Sequence, residues 1–247
     1  MKIGITDSGV GGLSVCAEFE ARLRQSPVRE DIEIIYLNAA IEDDYSYNSM
    51  PDRQTKLQAF DRFLDSVREK YQPDLLFIAC NTLSVLYRDS HFDHHRHTPI
   101  EGIVGSGTRE MLAAFTHDND GSGLLASQLL RKFVPAALEQ FDSSPSNVVA
   151  FLGCTHYGYQ AGQFKRVLQA LVPNAQVLNP NRGAVDTIFS RLKTEPGHGS
   201  LTVKFITRYA IPDVVISSLS AYIGELAPGT LSALKNFTHL PGLCGEL

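Results

Sequence analysis

Cysteine is scarce in this 247-residue chain, which has four cysteines and no Cys-x-x-Cys spacing. Without a Cys-x-x-Cys pair a zinc site is not expected. Four cysteines in a chain of this length also do not indicate the disulfide framework of a small secreted domain. No apolar run approaches the roughly 18 residues that a membrane span needs. Runs of Lys and Arg are also missing, and the net charge of −5 argues against a nucleic-acid partner. A metal, a membrane and a nucleic acid are therefore not expected partners.

The first residues, MKIGITDSG, lack the features of a signal peptide, because a single Lys precedes a short apolar stretch that Gly and Asp interrupt. The cytoplasm is therefore the expected location, where the cysteines would be free thiols. An apolar fraction of 43% and a charged fraction of 20% are typical of a globular protein. The length suits one large domain or two small ones.

Apolar strands and amphipathic helices alternate along the chain. Repeated strand–helix units predict an α/β fold with a parallel sheet, and LTVKFITRY (201–209) is expected at its edge. Strands are predicted at 2–6, 33–37, 74–79, 100–104, 148–152 and 176–178, and helices at 13–23, 52–71, 82–87, 108–115, 124–141, 160–172 and 184–192.

Three short polar segments each follow a predicted strand and precede a helix: residues 7–8, 80–82 and 154–156. In parallel α/β folds, ligands bind beyond the carboxyl ends of the strands. Two of these segments, IACNT and LGCTH, place Cys80 and Cys154 at such an end. We therefore expect both thiols at the binding edge, with Asp7 and His156 as the nearest acid–base groups.

A thiol at a helix N-terminus lies near unsatisfied N–H groups, which favour the thiolate and are expected to lower its pKa. Two thiols on opposite faces of a small ligand can invert a stereocentre without a cofactor, because one removes a proton from carbon and the other delivers one. The hydroxyls of Thr82 and Thr155 can cap the following helices or bind a carboxylate.

Plainer interpretations exist for each of these features. Buried cysteines are often only core residues, and His156 could be only a helix cap. Residues 7–13, DSGVGGL, fit neither Gly-x-Gly-x-x-Gly nor a P-loop, so they indicate a turn that approaches a small anion. HFDHHRH (91–97) could bind a metal, but no matching carboxylate cluster accompanies it, which favours solvated histidines. Cys16 and Cys244 are expected to be inert.

The segments GITDSGVGGLSV (4–15), ACNT (79–82) and LGCTHY (152–157) resemble, in order, the three signatures of glutamate racemases in the wider aspartate/glutamate racemase family. The resemblance implies a cofactor-independent isomerase that interconverts L- and D-glutamate and supplies D-glutamate for peptidoglycan. It also implies two similar parallel-sheet α/β lobes with the active site in the cleft between them. The implied partner is a dicarboxylic amino acid, and since dimers are common in that family, a homodimer is expected.

By the same resemblance, Cys80 and Cys154 would be the two catalytic bases, the first acting on the D-enantiomer and the second on the L-enantiomer. Asp7 and His156 would assist them. Contacts to the substrate would come from the residues beside these four and from the turn after the second strand: Ser8, Asn81, Thr82, Thr155, Ser46, Tyr47 and Asn48.

The resemblance also implies a discontinuous first lobe, made of residues 1–99 and about 180–247, with the second lobe at 100–179. Two departures leave alternatives open. Ser46-Tyr47-Asn48 stands where the family has Pro-Tyr-Gly, so the substrate could be aspartate or another small acid. Residues 116–122 directly join two segments that the family separates by several dozen residues of its second lobe. Either the lobe is truly shortened, as in a poor racemase or a non-catalytic binding protein, or the sequence omits residues, which predicts that the backbone breaks between residues 115 and 123.

Overall fold

The computed structural model describes residues 1–42, 45–94, 100–102, 131–132, 135, 148–192 and 195–244. The strands are β1 (Lys2–Asp7), β2 (Ile32–Asn38), β3 (Leu75–Ile78), β4 (Ile100–Gly102), β5 (Val149–Phe151), β6 (Gln176–Leu178), β7 (Leu201–Thr207) and β8 (Thr238–His239). The helices are α1 (Leu13–Gln25), α2 (Arg53–Lys70), α3 (Asn81–Tyr87), α4 (His91–His94), α5 (Ala161–Leu171), α6 (Pro180–Ser190), α7 (Asp213–Ile223) and α8 (Pro228–Lys235). Short 3₁₀ helices cover Tyr47–Ser49, Thr155–Gln160 and Pro241–Cys244.

Six strands form one parallel sheet in the order β4-β3-β1-β2-β7-β8. The central strands β1 and β3 are almost wholly buried, as their continuous apolar sequences predict. Strand β7 was expected at the edge, but it lies between β2 and the two-residue β8, which pairs only with Ile206 and Thr207. The α/β fold with parallel strands is therefore confirmed, with β7 one position inside the sheet.

Helices cover both faces of this sheet. Residues of α1, α6, α7 and α8 share one hydrophobic cluster with Ile3, Ile5 and Phe205, while residues of α2 and α3 share a second cluster with Leu37 and Ile78. Helix α6 and strands β7 and β8 thus pack with the N-terminal strands. Strand β4 pairs with β3 and extends the same sheet just past the predicted lobe boundary at residue 99.

Polar side chains satisfy helix ends in ways that local sequence partly predicts. Asp52 caps α2, since its carboxylate accepts from the Thr55 N–H at 2.8 Å. The buried Glu20 of α1 accepts from the backbone N–H groups of Gly229 and Thr230, at the start of α8. A carboxylate beside a helix N-terminus is electrostatically favourable, so Glu20 fastens α8 to α1.

Strands β5 and β6 form a separate two-stranded parallel sheet, with α5 beside it. Val149 and Phe151 of β5 and Leu178 of β6 are each more than half exposed. The predicted helix at 108–115, most of the one at 124–141 and the predicted break between 115 and 123 lie outside the described residues. Within the described ranges, no helix has the length and apolar content that a membrane span requires.

Candidate active site

The first thiol lies at the carboxyl edge of the large sheet, where β1 and β3 end. Cys80 is the residue immediately before α3, and its side chain is only 7% exposed. The Ser8 hydroxyl, just beyond β1, lies 3.1 Å from the Cys80 sulfur. Because β1 and β3 are paired neighbours, the two polar segments that follow them are brought into contact.

The second thiol follows β5, and the residues after it contact the large sheet. Thr155 donates a hydrogen bond to the Asp7 carboxylate at 2.8 Å, and Cys154 Sγ lies 3.6 Å from Nδ1 of His156. The Tyr159 hydroxyl donates to the Val10 carbonyl at 2.8 Å. The structure therefore brings together the three polar segments that the sequence placed at strand ends.

Asp7 is the electrostatic centre of this arrangement. It is 1% exposed, and burial raises the pKa of its carboxyl from 3.8 to about 6, against the lowering effect of the hydrogen bonds from Thr155 and from backbone N–H groups. At pH 7 the carboxyl is mostly ionised, so a negative charge lies among the buried thiols.

Both thiols have raised pKa values, so the expectation of lowered values was wrong. Burial, followed by the charge of Asp7, raises the pKa of Cys80 to about 11 and also raises that of Cys154. Helix α3 has only seven residues, and a 3₁₀ helix follows Cys154, so the dipole effect is small beside the cost of desolvation. At a pKa of 11, about one Cys80 in ten thousand is a thiolate at pH 7.

The remaining candidate residues are spread more widely. Asn81 and Thr82 open α3 and are half-buried, and Cys80, at the N-cap before them, makes no side-chain cap bond to that helix. The hydroxyl of Ser46 lies 3.5 Å from that of Ser49, and Asn48 is exposed. Tyr47 is buried in the core, with its ring edge-on to Phe60 at 6.3 Å.

Ser14, Asn181 and Gly11 also contact the Cys154 segment, although the sequence reasoning did not single them out. The Ser14 hydroxyl and the Asn181 amide both contact the Thr155 carbonyl, and a Cβ at Gly11 would overlap the Thr155 hydroxyl and the His156 ring. The signal for Asn181 was the Asn179-Pro180 pair, which is typical of a helix start; α6 begins there, four residues before the predicted start.

The described part of the chain has no group of three or more Cys, His, Asp or Glu side chains arranged to hold a metal ion. His91 of the histidine-rich segment lies 3.2 Å from an oxygen of Asp61 and 3.6 Å from one of Asp65. His95, His97 and the Cys244 thiol lie outside what the structure describes. Cys16 is buried, with its sulfur 3.6 Å from the Thr230 hydroxyl.

The comparison with known sequences finds no matching family model. A glutamate racemase from Campylobacter jejuni is 36% identical over 121 residues, which are 49% of this chain and 43% of that relative. One from Aquifex aeolicus is 23% identical over 248 positions, with 84% of this chain and 89% of the relative covered. The relatives of this chain are glutamate racemases. Since 84% of 247 residues is about 207, about 40 of those 248 positions hold no residue of this chain.

Solved glutamate racemases share the fold. The Escherichia coli enzyme, solved with L-glutamate and the activator UDP-MurNAc-Ala, superposes with a TM-score of 0.62 at 17% identity, covering 90% of this chain and 94% of that one. The Aquifex pyrophilus enzyme superposes with a TM-score of 0.56 at 18% identity, covering 91% and 95%. The two-lobe α/β architecture of glutamate racemases is therefore the fold of this chain.

Proposed function

We propose that this protein is a cofactor-independent racemase that interconverts L- and D-glutamate by proton transfer at Cα. The observation that carries the proposal is the pair of contacts that joins both cysteine segments to the end of β1. The Ser8 hydroxyl lies 3.1 Å from the Cys80 sulfur, and Thr155, the residue after Cys154, donates to the Asp7 carboxylate at 2.8 Å. Because Asp7 and Ser8 are consecutive residues, the two cysteine segments meet at one strand end, where both can serve the same small ligand.

The reaction needs one thiolate and one thiol. The thiolate takes the α-hydrogen as a proton and leaves the bonding electrons on Cα; the opposite thiol then gives its proton to the other face and becomes the thiolate. We assign these roles to Cys80 and Cys154, with Cys80 acting on D-glutamate and Cys154 on L-glutamate. We assign to His156, whose Nδ1 lies 3.6 Å from the Cys154 sulfur, the role of assisting Cys154 by accepting the thiol proton in the tautomer that leaves Nδ1 unprotonated.

The raised pKa values of the two thiols fit a site in which the bound substrate supplies the positive charge that favours a thiolate. An amino-acid substrate carries an ammonium group, and a positive charge near a thiol favours the thiolate. Hydroxyl, amide and backbone N–H donors at the strand ends would stabilise the negative charge that develops at Cα. We assign this binding role to Ser8, Asn81, Thr82 and Thr155, and the contact with the distal carboxylate to the turn at Ser46, Tyr47 and Asn48.

The turn also favours a second candidate substrate. Its Tyr47 ring packs in the core, which leaves Ser46 and Asn48 as the accessible side chains of the turn. A turn with only two such side chains offers few groups to a long substrate, so aspartate or another small acid is the alternative. We further propose a cytoplasmic homodimer that supplies D-glutamate for peptidoglycan, with a first lobe made of residues 1–99 and about 180–247 and a second lobe at 100–179. Light scattering on the purified protein tests the dimer.

Racemisation in D₂O tests the proposal. Circular dichroism should show L- and D-glutamate converging to the racemate, and NMR should show deuterium at Cα of the product. Cys80→Ser and Cys154→Ser should each abolish interconversion, whereas the matched control Cys16→Ser should keep it. Turnover that survives both active-site changes would sink the two-thiol mechanism. Turnover of aspartate alone would favour the second substrate, and ligand binding without turnover would favour the non-catalytic alternative.

A further inference from the structure

Asn181, in the first turn of α6, contacts two other elements of the protein. Its amide Nδ2 donates to the Ser14 hydroxyl at 2.7 Å and to the Thr155 carbonyl at 3.2 Å. Ser14, in the first turn of α1, donates to the Gly11 carbonyl at 2.8 Å and also lies 3.2 Å from the Thr155 carbonyl. Two side chains from two helices therefore converge on one backbone oxygen.

That oxygen belongs to the residue between Cys154 and His156. The Thr155 side chain is bonded to Asp7 at the same time, so the side chain of Thr155 is tied to β1 and its backbone to α1 and α6. Cys154 is the neighbouring residue, and its sulfur is bonded within the same segment, to His156 at 3.6 Å and to Thr155. The position of its sulfur relative to Asp7 and Cys80 therefore depends on how firmly Thr155 is held.

The burial of Asn181 has a cost that packing alone does not explain. The residue is 1% exposed, and its Oδ1 is buried without a hydrogen-bond partner. A buried polar group without a partner is unfavourable by about 1–3 kcal/mol, so an apolar side chain would suit this site better if it only filled space. The surroundings are also closely fitted, because a Cβ at Gly158 would overlap the Asn181 amide nitrogen.

We propose that Asn181 and Ser14 are positioning residues for the Cys154 thiol, acting through the Thr155 carbonyl. The inference rests on the proposed racemase function and adds to it two residues that touch neither thiol nor substrate. Loosening Thr155 should slow proton transfer between Cys154 and Cα while leaving the transfer by Cys80 much less affected. Small displacements of a reacting group cost up to about 100-fold in rate.

Primary isotope effects measured in both directions test this role. With α-deuterated substrates, Asn181→Ala and Ser14→Ala should raise the isotope effect for the enantiomer whose hydrogen Cys154 removes, L-glutamate in our assignment, but not for the other enantiomer. Turnover should fall about 10- to 100-fold. The double variant should lose little more than the worse single variant, because both contacts hold one carbonyl.

Two further variants keep the test decisive. Asn181→Leu keeps a comparable side-chain volume, removes both N–H donors and adds no charge, and it replaces Asn181→Ala if that variant unfolds. Thr187→Ala is the control on the same helix, where the hydroxyl of a half-buried threonine donates to the Gly183 carbonyl at 2.9 Å, and it should leave turnover and both isotope effects unchanged.

The outcomes separate this inference from the proposed function. If the wild-type protein does not exchange the α-hydrogen of either enantiomer, the proposed function fails and the positioning role fails with it. If the wild type is active but folded Asn181 and Ser14 variants show unchanged isotope effects, or equal changes for both enantiomers, the positioning role alone is overturned.

Discussion

Replacement of Asp7 by Asn should change how the stability of the protein depends on pH. The carboxyl is buried, and its pKa of about 6 in the folded protein compares with 3.8 for an exposed aspartate. The folded state therefore holds its proton more tightly than the unfolded state does. Below about pH 3 the carboxyl is protonated in both states and its burial costs little. As the pH rises from there through 6, the unfolded state ionises first, the folded state must then accommodate a buried charge, and stability is lost.

The size of the effect follows from the difference in pKa. About two pKa units at 1.36 kcal/mol each make the wild type lose about 3 kcal/mol of unfolding free energy between pH 3 and pH 8 through this group alone. Asp7→Asn lacks the ionisable group and keeps a comparable shape beside Thr155. The advantage of the variant over the wild type should therefore grow by about 3 kcal/mol across that range.

Urea unfolding at half-unit pH intervals measures this difference directly, because the other titrating groups are common to both proteins. Asp31→Asn is a control of opposite sign: hydrogen bonds from Ser200 lower the pKa of the Asp31 carboxyl, so the wild type should gain over that variant as the pH rises. A difference between wild type and Asp7→Asn that stays constant, or shrinks with rising pH, would refute the reasoning.

Three further predictions concern the same site. Gly11→Ala should lower the unfolding free energy by about 1–3 kcal/mol, because its Cβ would overlap the Thr155 hydroxyl. In the control Gly183→Ala the new Cβ faces open space within α6, so the unfolding free energy should rise by up to about 1 kcal/mol. Equal effects of the two changes in urea unfolding would contradict this prediction. Thr155→Val removes a donor to Asp7 and should move the carboxyl pKa further above 6, seen as a higher midpoint in the pH-dependent stability difference. Asp7→Asn should lower the pKa of Cys80, so iodoacetamide should alkylate that thiol faster at pH 8. An unchanged rate would count against the effect of the Asp7 charge on Cys80.

Sequence patterns predicted the strands that position the site because those strands carry their signal locally. The apolar runs that form β1 and β3 are buried on both faces of the sheet. A continuous apolar run is visible in the sequence alone, so both strands could be predicted without knowing their neighbours. The start of α6 was missed because the reasoning began that helix at its first apolar residue, four positions after Pro180. Strand β8 was missed because two residues leave no periodic pattern.

The sequence by itself determined which residues stand at strand ends, because strand and helix periodicities are local and parallel strands end at one edge. It thereby placed Asp7, Cys80 and Cys154 in one region. Only the tertiary structure decided the burial, the pKa values and the hydrogen-bond partners of those groups. Burial depends on what the rest of the chain packs around a side chain, and it raises the pKa values of both thiols. The hydrogen bonds from Thr155 to Asp7 and from Asn181 to the Thr155 carbonyl likewise join residues that lie far apart in sequence.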